Sequence, residues 1–178
     1  MQAYLNKFVS IRSVFGLAML VVLLTAAFQW RNSEMTRFAA GRDAAPLDGS
    51  FDGYSMDEAQ ALFDTLGSDG RTFYALSELS LDVLFPLVYG AWLVIGMWLV
   101  WGAPWRFIFA GVVVIACAAD LVENGLIAYM ALTYSDESQP MMYVANLATL
   151  TKWSFLALAV AGLVLGLILK YALRWCNR

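Results

Sequence analysis

The sequence predicts an all-α polytopic membrane protein, a bundle of four transmembrane helices with a short amphipathic helix in the outer loop. Three observations predict it. Of 178 residues, 61% are hydrophobic and only 14% are charged, against about 45–50% and about 25% in a soluble domain, so the chain is too apolar to coat itself in water. Four stretches reach the roughly 20 apolar residues that a spanning helix needs: about 13–30, 79–101, 105–132 and 141–169. Aromatic residues mark several of their ends (Trp30, Trp101, Trp105, Tyr134, Tyr143 and Trp175), as expected of an interfacial belt. The whole of 1–178 reads as a single transmembrane domain, with 31–77 as its extracytoplasmic loop.

Composition also excludes chemistry. The chain has no histidine, which removes Ser-His-Asp hydrolysis, HExxH zinc sites, histidine-ligated haem and a histidine proton shuttle. Its two cysteines, Cys117 and Cys176, form no CxxC. They sit at different depths, so no disulfide between them is expected. A net charge of −3 gives no sign of a nucleic-acid partner. Nothing implies a cofactor.

The first span carries one polar residue in its interior VFGLAMLVVLLTAAF, Thr25. Lys7 and Arg12 before it, and TAA before Phe28, resemble a signal peptide, but the apolar run is long for one and retention as an anchor is expected. The span offers almost nothing polar, so it should pack peripherally or present a face to another subunit.

Charge sets the orientation. With the N-terminus in the cytoplasm, that side holds Lys7, Arg12, Arg106, Lys170, Arg174 and Arg178 and no acid. The outer side holds Arg31, Arg37, Arg42 and Arg71 with Glu34, Asp43, Asp48, Asp52, Asp57, Glu58, Asp64, Asp69, Asp136 and Glu137. Basic residues in short loops prefer the cytoplasm, so both termini are expected there, in a bacterial inner membrane.

In the outer loop, AAGRDAAPLDGSFDGYS reads as turns. Ser55-Met56-Asp57-Glu58 then forms a capping box, followed by Met56, Ala59, Leu62, Phe63 and Leu66 at helical spacing, with Gly67 as a stop. The apolar face of this short helix should pack on the outer end of the bundle or lie at the lipid surface; a lid over a cavity is the sharper alternative.

Polar residues inside the spans carry the functional information, because a charge at mid-bilayer costs about 2.5–3.5 kcal/mol on insertion scales. The second span carries Glu78, Asp82, Pro86 and Tyr89 close to one face. Pro86 frees the carbonyl near Asp82 and predicts a kink. Glu78 reads as hydrated at headgroup depth. The third span carries Asp120, Glu123 and Asn124 on one turn. Two carboxylates that close cannot both ionise freely unless a cation lies between them, which an ion-pair clasp holding the bundle would also provide. The fourth span carries Asn146, Thr149 and Trp153 on one stripe, bordered by Lys152, the only base placed in the bilayer interior. Under the proposed orientation these groups converge in the outer half, which predicts one buried polar cluster of Asp82, Tyr89, Asp120, Glu123, Asn124, Asn146, Thr149 and Lys152. Carboxylates alone can hold a hard cation such as calcium, but no loop spacing demands one and no metal is expected. Gly162 and Gly166 form a GxxxG that serves close packing within the bundle.

The segments LDVLFPLVYG, ADLVENG and ATLTKW resemble small bacterial four-span membrane proteins of unassigned function. The resemblance covers the last three spans and implies no activity. The chain is also similar to four-span sterol-isomerase-like proteins in span number and acidic residues, but its lack of histidine departs from their catalytic pattern. Three functions stay open. One is a bundle that binds or moves a small polar or amphiphilic ligand or ion. Another is an accessory subunit of a larger membrane complex. The third is a lipid-modifying enzyme using Asp120 and Glu123 as acid and base. Membrane lipid is the expected partner, with other membrane subunits under the second reading.

Overall fold

The structure is a computed structural model that describes residues 10–134 and 139–176. Lys7, Asp136, Glu137 and Arg178 lie outside the described residues, as do the side chains of Arg174, Trp175 and Cys176. Every described regular element is helical: α1 (Ile11–Phe38), a 3-10 turn (Leu47–Gly49), α2 (Met56–Glu78), α3 (Leu81–Val100), α4 (Trp105–Thr133) and α5 (Gln139–Cys176). Four helices are long and apolar enough to cross a membrane: α1, the combined α2–α3 run, α4 and α5. This composition fits a membrane protein.

Local sequence explains the element boundaries. Ser10 caps α1 by accepting from the Ser13 amide at 3.2 Å. The helix does not end at Trp30. RNSEMTRF contains no glycine or proline, and α1 continues through it to Phe38. The capping box at Ser55 and Glu58 starts α2. This element is longer than the expected short loop helix. Gly67 breaks helical geometry at φ 64°, yet the chain resumes a helix directly and runs to Glu78. A non-helical step at Ser80 (φ −120°, ψ −74°) separates α2 from α3.

Two apolar cores result. At one end, Ala59, Leu62, Phe63 and Leu66 of α2 form a single cluster with Met35 of α1, Ile127 and Met130 of α4 and Met142 of α5. The amphipathic face of α2 therefore lies on the bundle, while Arg71 of α2 stacks over the Tyr134 ring at 4.1 Å. Towards the other end, Leu93, Met97, Val113 and Ala159 are buried together with Phe109 and Leu163 packed on them. Lipid tails are as apolar as leucine, so helix association in a bilayer rests on close packing and polar links. Gly162 illustrates both. A Cβ there would collide with the Phe109 ring, and Trp101 Nε1 donates to the Gly162 carbonyl at 3.1 Å. The GxxxG thus packs within the bundle.

The 39–55 segment is a strap across the end where α1 finishes and α5 begins. Ala39, Ala44, Leu47 and Tyr54 anchor it in the first core. The Tyr54 amide donates to Asn146 Oδ1 at 3.0 Å, and the Phe51 ring lies 4.1 Å from that of Trp153.

Candidate functional site

Two charge centres lie beneath the strap. The first is built on Arg31, which is 2% exposed. Its Nη1 donates to Asp82 Oδ2 at 2.7 Å and lies 3.7 Å from Glu78 Oε1, while Nη2 lies 3.4 Å from Asp48 Oδ1. Each partner is placed by local structure. Asp82 sits in the first turn of α3, where the helix dipole favours a carboxylate. Asp48 comes from the 3-10 turn of the strap. Tyr74 fixes that turn, because its hydroxyl accepts from the Leu47 amide at 3.0 Å and donates to Asp48 Oδ1 at 3.3 Å. Phe28 lies against the guanidinium, 4.8 Å from its carbon to the ring centroid.

The second centre is built on Lys152, 6% exposed. Its Nζ stands 2.5 Å from Glu123 Oε2 and 3.4 Å from Asp120 Oδ1. Thr149 donates to Glu123 Oε1 at 2.5 Å and Tyr89 donates to Asp120 Oδ2 at 2.9 Å. A cation does lie between the two carboxylates of the α4 turn.

Asn124 joins the centres. Pro86 has no N–H to offer the carbonyl four residues earlier. That carbonyl belongs to Asp82, and Asn124 Nδ2 donates to it at 2.7 Å. One turn of α4 therefore supplies the hydrogen bond that α3 lacks, beside the acid that holds Arg31.

A cavity of about 180 Å³ lies between the centres, with Arg31, Asp48 and Asp82 on one side and Tyr89, Asp120 and Lys152 on the other. The two basic groups face five carboxylates (Asp48, Glu78, Asp82, Asp120 and Glu123), a formal charge of −3 when all are ionised. Tyr54 of the strap is buried near the second centre. Burial first, and then the charge of Glu123, pushes its phenol well above the ordinary range.

Of the residues singled out from sequence, Asp82, Tyr89, Asp120, Glu123, Asn124, Thr149 and Lys152 are brought together. Asn146 instead holds the strap through the Tyr54 amide. Among the described residues Lys152 is joined by a second buried base, Arg31. Two expectations are corrected. The first span does contribute a polar group, since its helix extends far enough to carry Arg31 into the bundle. Glu78 is not hydrated; it is 0% exposed. Sequence reasoning also missed Asp48 and Tyr74. For Arg31 a signal existed: the unbroken helical stretch after Trp30 places it on the same helix as the span. For Asp48 none did, because its position depends on how the strap folds back.

No family model, curated protein or solved structure matches the chain.

Proposed function

We propose that this chain is an integral membrane protein that binds a small cation in the cavity between Arg31 and Lys152. One observation carries the reading: among the described residues, the two charge centres that flank the cavity set five carboxylates against two basic groups, and three of those carboxylates, Asp48, Asp82 and Asp120, line it. At low effective dielectric an uncompensated negative charge is costly, and a bound cation relieves it, whereas an anion would add to it. Ionisable groups within membrane spans are functional sites by default. The distribution of basic residues supports an opening towards the extracytoplasmic face, with both termini cytoplasmic.

The test is thermal unfolding of the detergent-solubilised protein, followed by tryptophan fluorescence. Alkali, alkaline-earth and small organic ammonium chlorides are titrated at constant ionic strength. A ligand that binds only the folded state at about 100 times its Kd stabilises by about 2.7 kcal/mol. At least one cation should raise the unfolding temperature saturably, and Asp82→Asn or Asp120→Asn should abolish the shift. Equal, unsaturable effects of all cations would refute the proposal.

A second reading, an accessory subunit, is favoured by α1. None of its most apolar window is buried, and Phe15, Met19, Val22 and Leu23 are all exposed. That face meets either lipid or a partner helix. Native mass spectrometry in mild detergent separates the two: a defined co-purifying protein lost on substituting Met19 and Val22 supports the subunit. No specific observation favours the enzyme reading, in which Asp120 and Glu123 are already engaged by Lys152, Tyr89 and Thr149.

A further inference from the structure

Resting on the cation-binding reading, we infer that Asp48, Glu78 and Asp82 form a site for a hard divalent cation of the magnesium or calcium kind. The three carboxylates come from separate segments: the strap turn, the end of α2 and the start of α3. One oxygen from each lies within 4.8 Å of the other two. Calcium binds its oxygen ligands at about 2.3–2.6 Å, so oxygens on opposite sides of it stand roughly 5 Å apart. The spacing is that of oxygens able to share one ion.

Glu78 is the independent observation. It is 0% exposed, and neither of its carboxylate oxygens has a hydrogen-bond partner. The Arg31 Nη1 contact at 3.7 Å exceeds hydrogen-bond length. Buried polar atoms are nearly always bonded, and an ionised carboxylate left without bonds in a protein interior is strongly disfavoured. A buried carboxylate without a hydrogen bond, one oxygen of which lies within 4.8 Å of oxygens of Asp48 and Asp82, is what a cation would satisfy.

Charge selects the valence. Arg31 supplies one positive charge against three carboxylates, leaving a formal −2. A divalent ion neutralises this; a monovalent ion leaves half of it. Ligand type selects the class. Three carboxylates and no imidazole or thiolate suit magnesium, calcium or manganese rather than zinc or copper, and the chain has no histidine. Asp48 makes the site conditional on the strap, because it is the one ligand that does not sit on a long helix.

The experiment uses Mn2+ as the probe, with free Mn2+ measured by electron paramagnetic resonance against the full-length protein in detergent. The expected result is one Mn2+ per chain, displaced by Ca2+ or Mg2+. Asp48→Asn and Glu78→Gln should each weaken binding at least tenfold, and Asp69→Asn, an exposed acid beyond the kink of α2, should leave it unchanged. Asp48→Asn lies on the strap and keeps the test decisive if Glu78→Gln does not fold. Binding of Mn2+ that ignores both substitutions but is lost in Asp120→Asn overturns this site and keeps the broader cation reading. Absence of Mn2+ binding, with a saturable thermal shift by a monovalent or organic cation, does the same. Absence of any cation effect overturns both.

Discussion

Replacing Lys152 with Met removes the cation that lies 2.5 Å from Glu123 and 3.4 Å from Asp120. At an effective dielectric near 20 those two attractions are worth about 7 and about 5 kcal/mol. Desolvation of the three groups cancels most of this in the intact protein, so the cluster adds little net stability. Removing the lysine alone is different, because two carboxylates stay buried without it, and breaking a buried pair this way costs about 3–5 kcal/mol. A second route gives a similar figure. An abandoned carboxyl can take up a proton instead, and from ordinary glutamate acidity that costs about 4 kcal/mol at pH 7, at about 1.4 kcal/mol per pH unit. The sign follows: protons substitute for the missing lysine, so the deficit shrinks as pH falls. Unfolding in mixed micelles, followed by tryptophan fluorescence, should show Lys152→Met losing about 3–5 kcal/mol at pH 7 and about 2.7 kcal/mol less than that at pH 5. Adding Asp120→Asn and Glu123→Gln to Lys152→Met should restore most of the loss. A single variant that loses under about 1 kcal/mol at pH 7, or a triple variant no better than the single, would refute the role of Lys152 as counter-charge.

Asn124→Leu should cost about 1–3 kcal/mol by stranding the Asp82 carbonyl, and a double-mutant cycle with Pro86→Ala should show recovery, because residue 86 regains an N–H. Arg31→Lys should recover less than half of the roughly 3–5 kcal/mol lost in Arg31→Met, since an ammonium cannot fork across three carboxylates; the same unfolding assay reads both. Gly53→Ala should loosen the strap. Its φ of +83° and the clash of a Cβ with Asn146 Oδ1 together cost at least about 1 kcal/mol, visible as faster amide exchange at Tyr54. The Ser55 amide and then its hydroxyl hold the Glu58 carboxyl below its ordinary value of 4.5. Its contribution is therefore complete above that value and is lost as pH falls through the lower folded value. Glu58→Gln should remove this pH dependence from exchange rates at the start of α2.

The helices were legible because their signals are local. Apolar length marked the four long runs, and the Ser55–Glu58 spacing marked the start of α2. Part of the site was legible for the same reason. Asp120, Glu123 and Asn124 share a turn whatever the tertiary fold, and Pro86 must free the Asp82 carbonyl. What was hidden depends on partners distant in sequence. Asn124 was readable as a polar group on α4, but its role as donor to α3 needs the two helices side by side. Arg31 was counted as a loop charge because hydropathy falls after Trp30, although helical geometry does not stop where hydropathy does. Glu78 looked hydrated because it precedes the apolar run, and its burial beside Arg31, Asp48 and Asp82 depends on segments distant in sequence. Asp48, one acid among many in a turn-rich stretch, had nothing to distinguish it.

The hydrogen bond from Asn124 to the Asp82 carbonyl bears on how such a chain would enter a bilayer. Lipid offers no water to a backbone group, so each unmet carbonyl at depth is penalised until a neighbour meets it. α3 on its own carries such a group, placed there by Pro86, and it carries Asp82 beside it. α4 on its own carries Asn124 and two acids. Each helix is a poor passenger alone and a better one as half of a hairpin. The short 101–104 connection keeps the halves adjacent as the chain emerges. In a membrane-spanning chain of this sequence, the α3–α4 pair would be a more favourable unit of insertion than either helix alone.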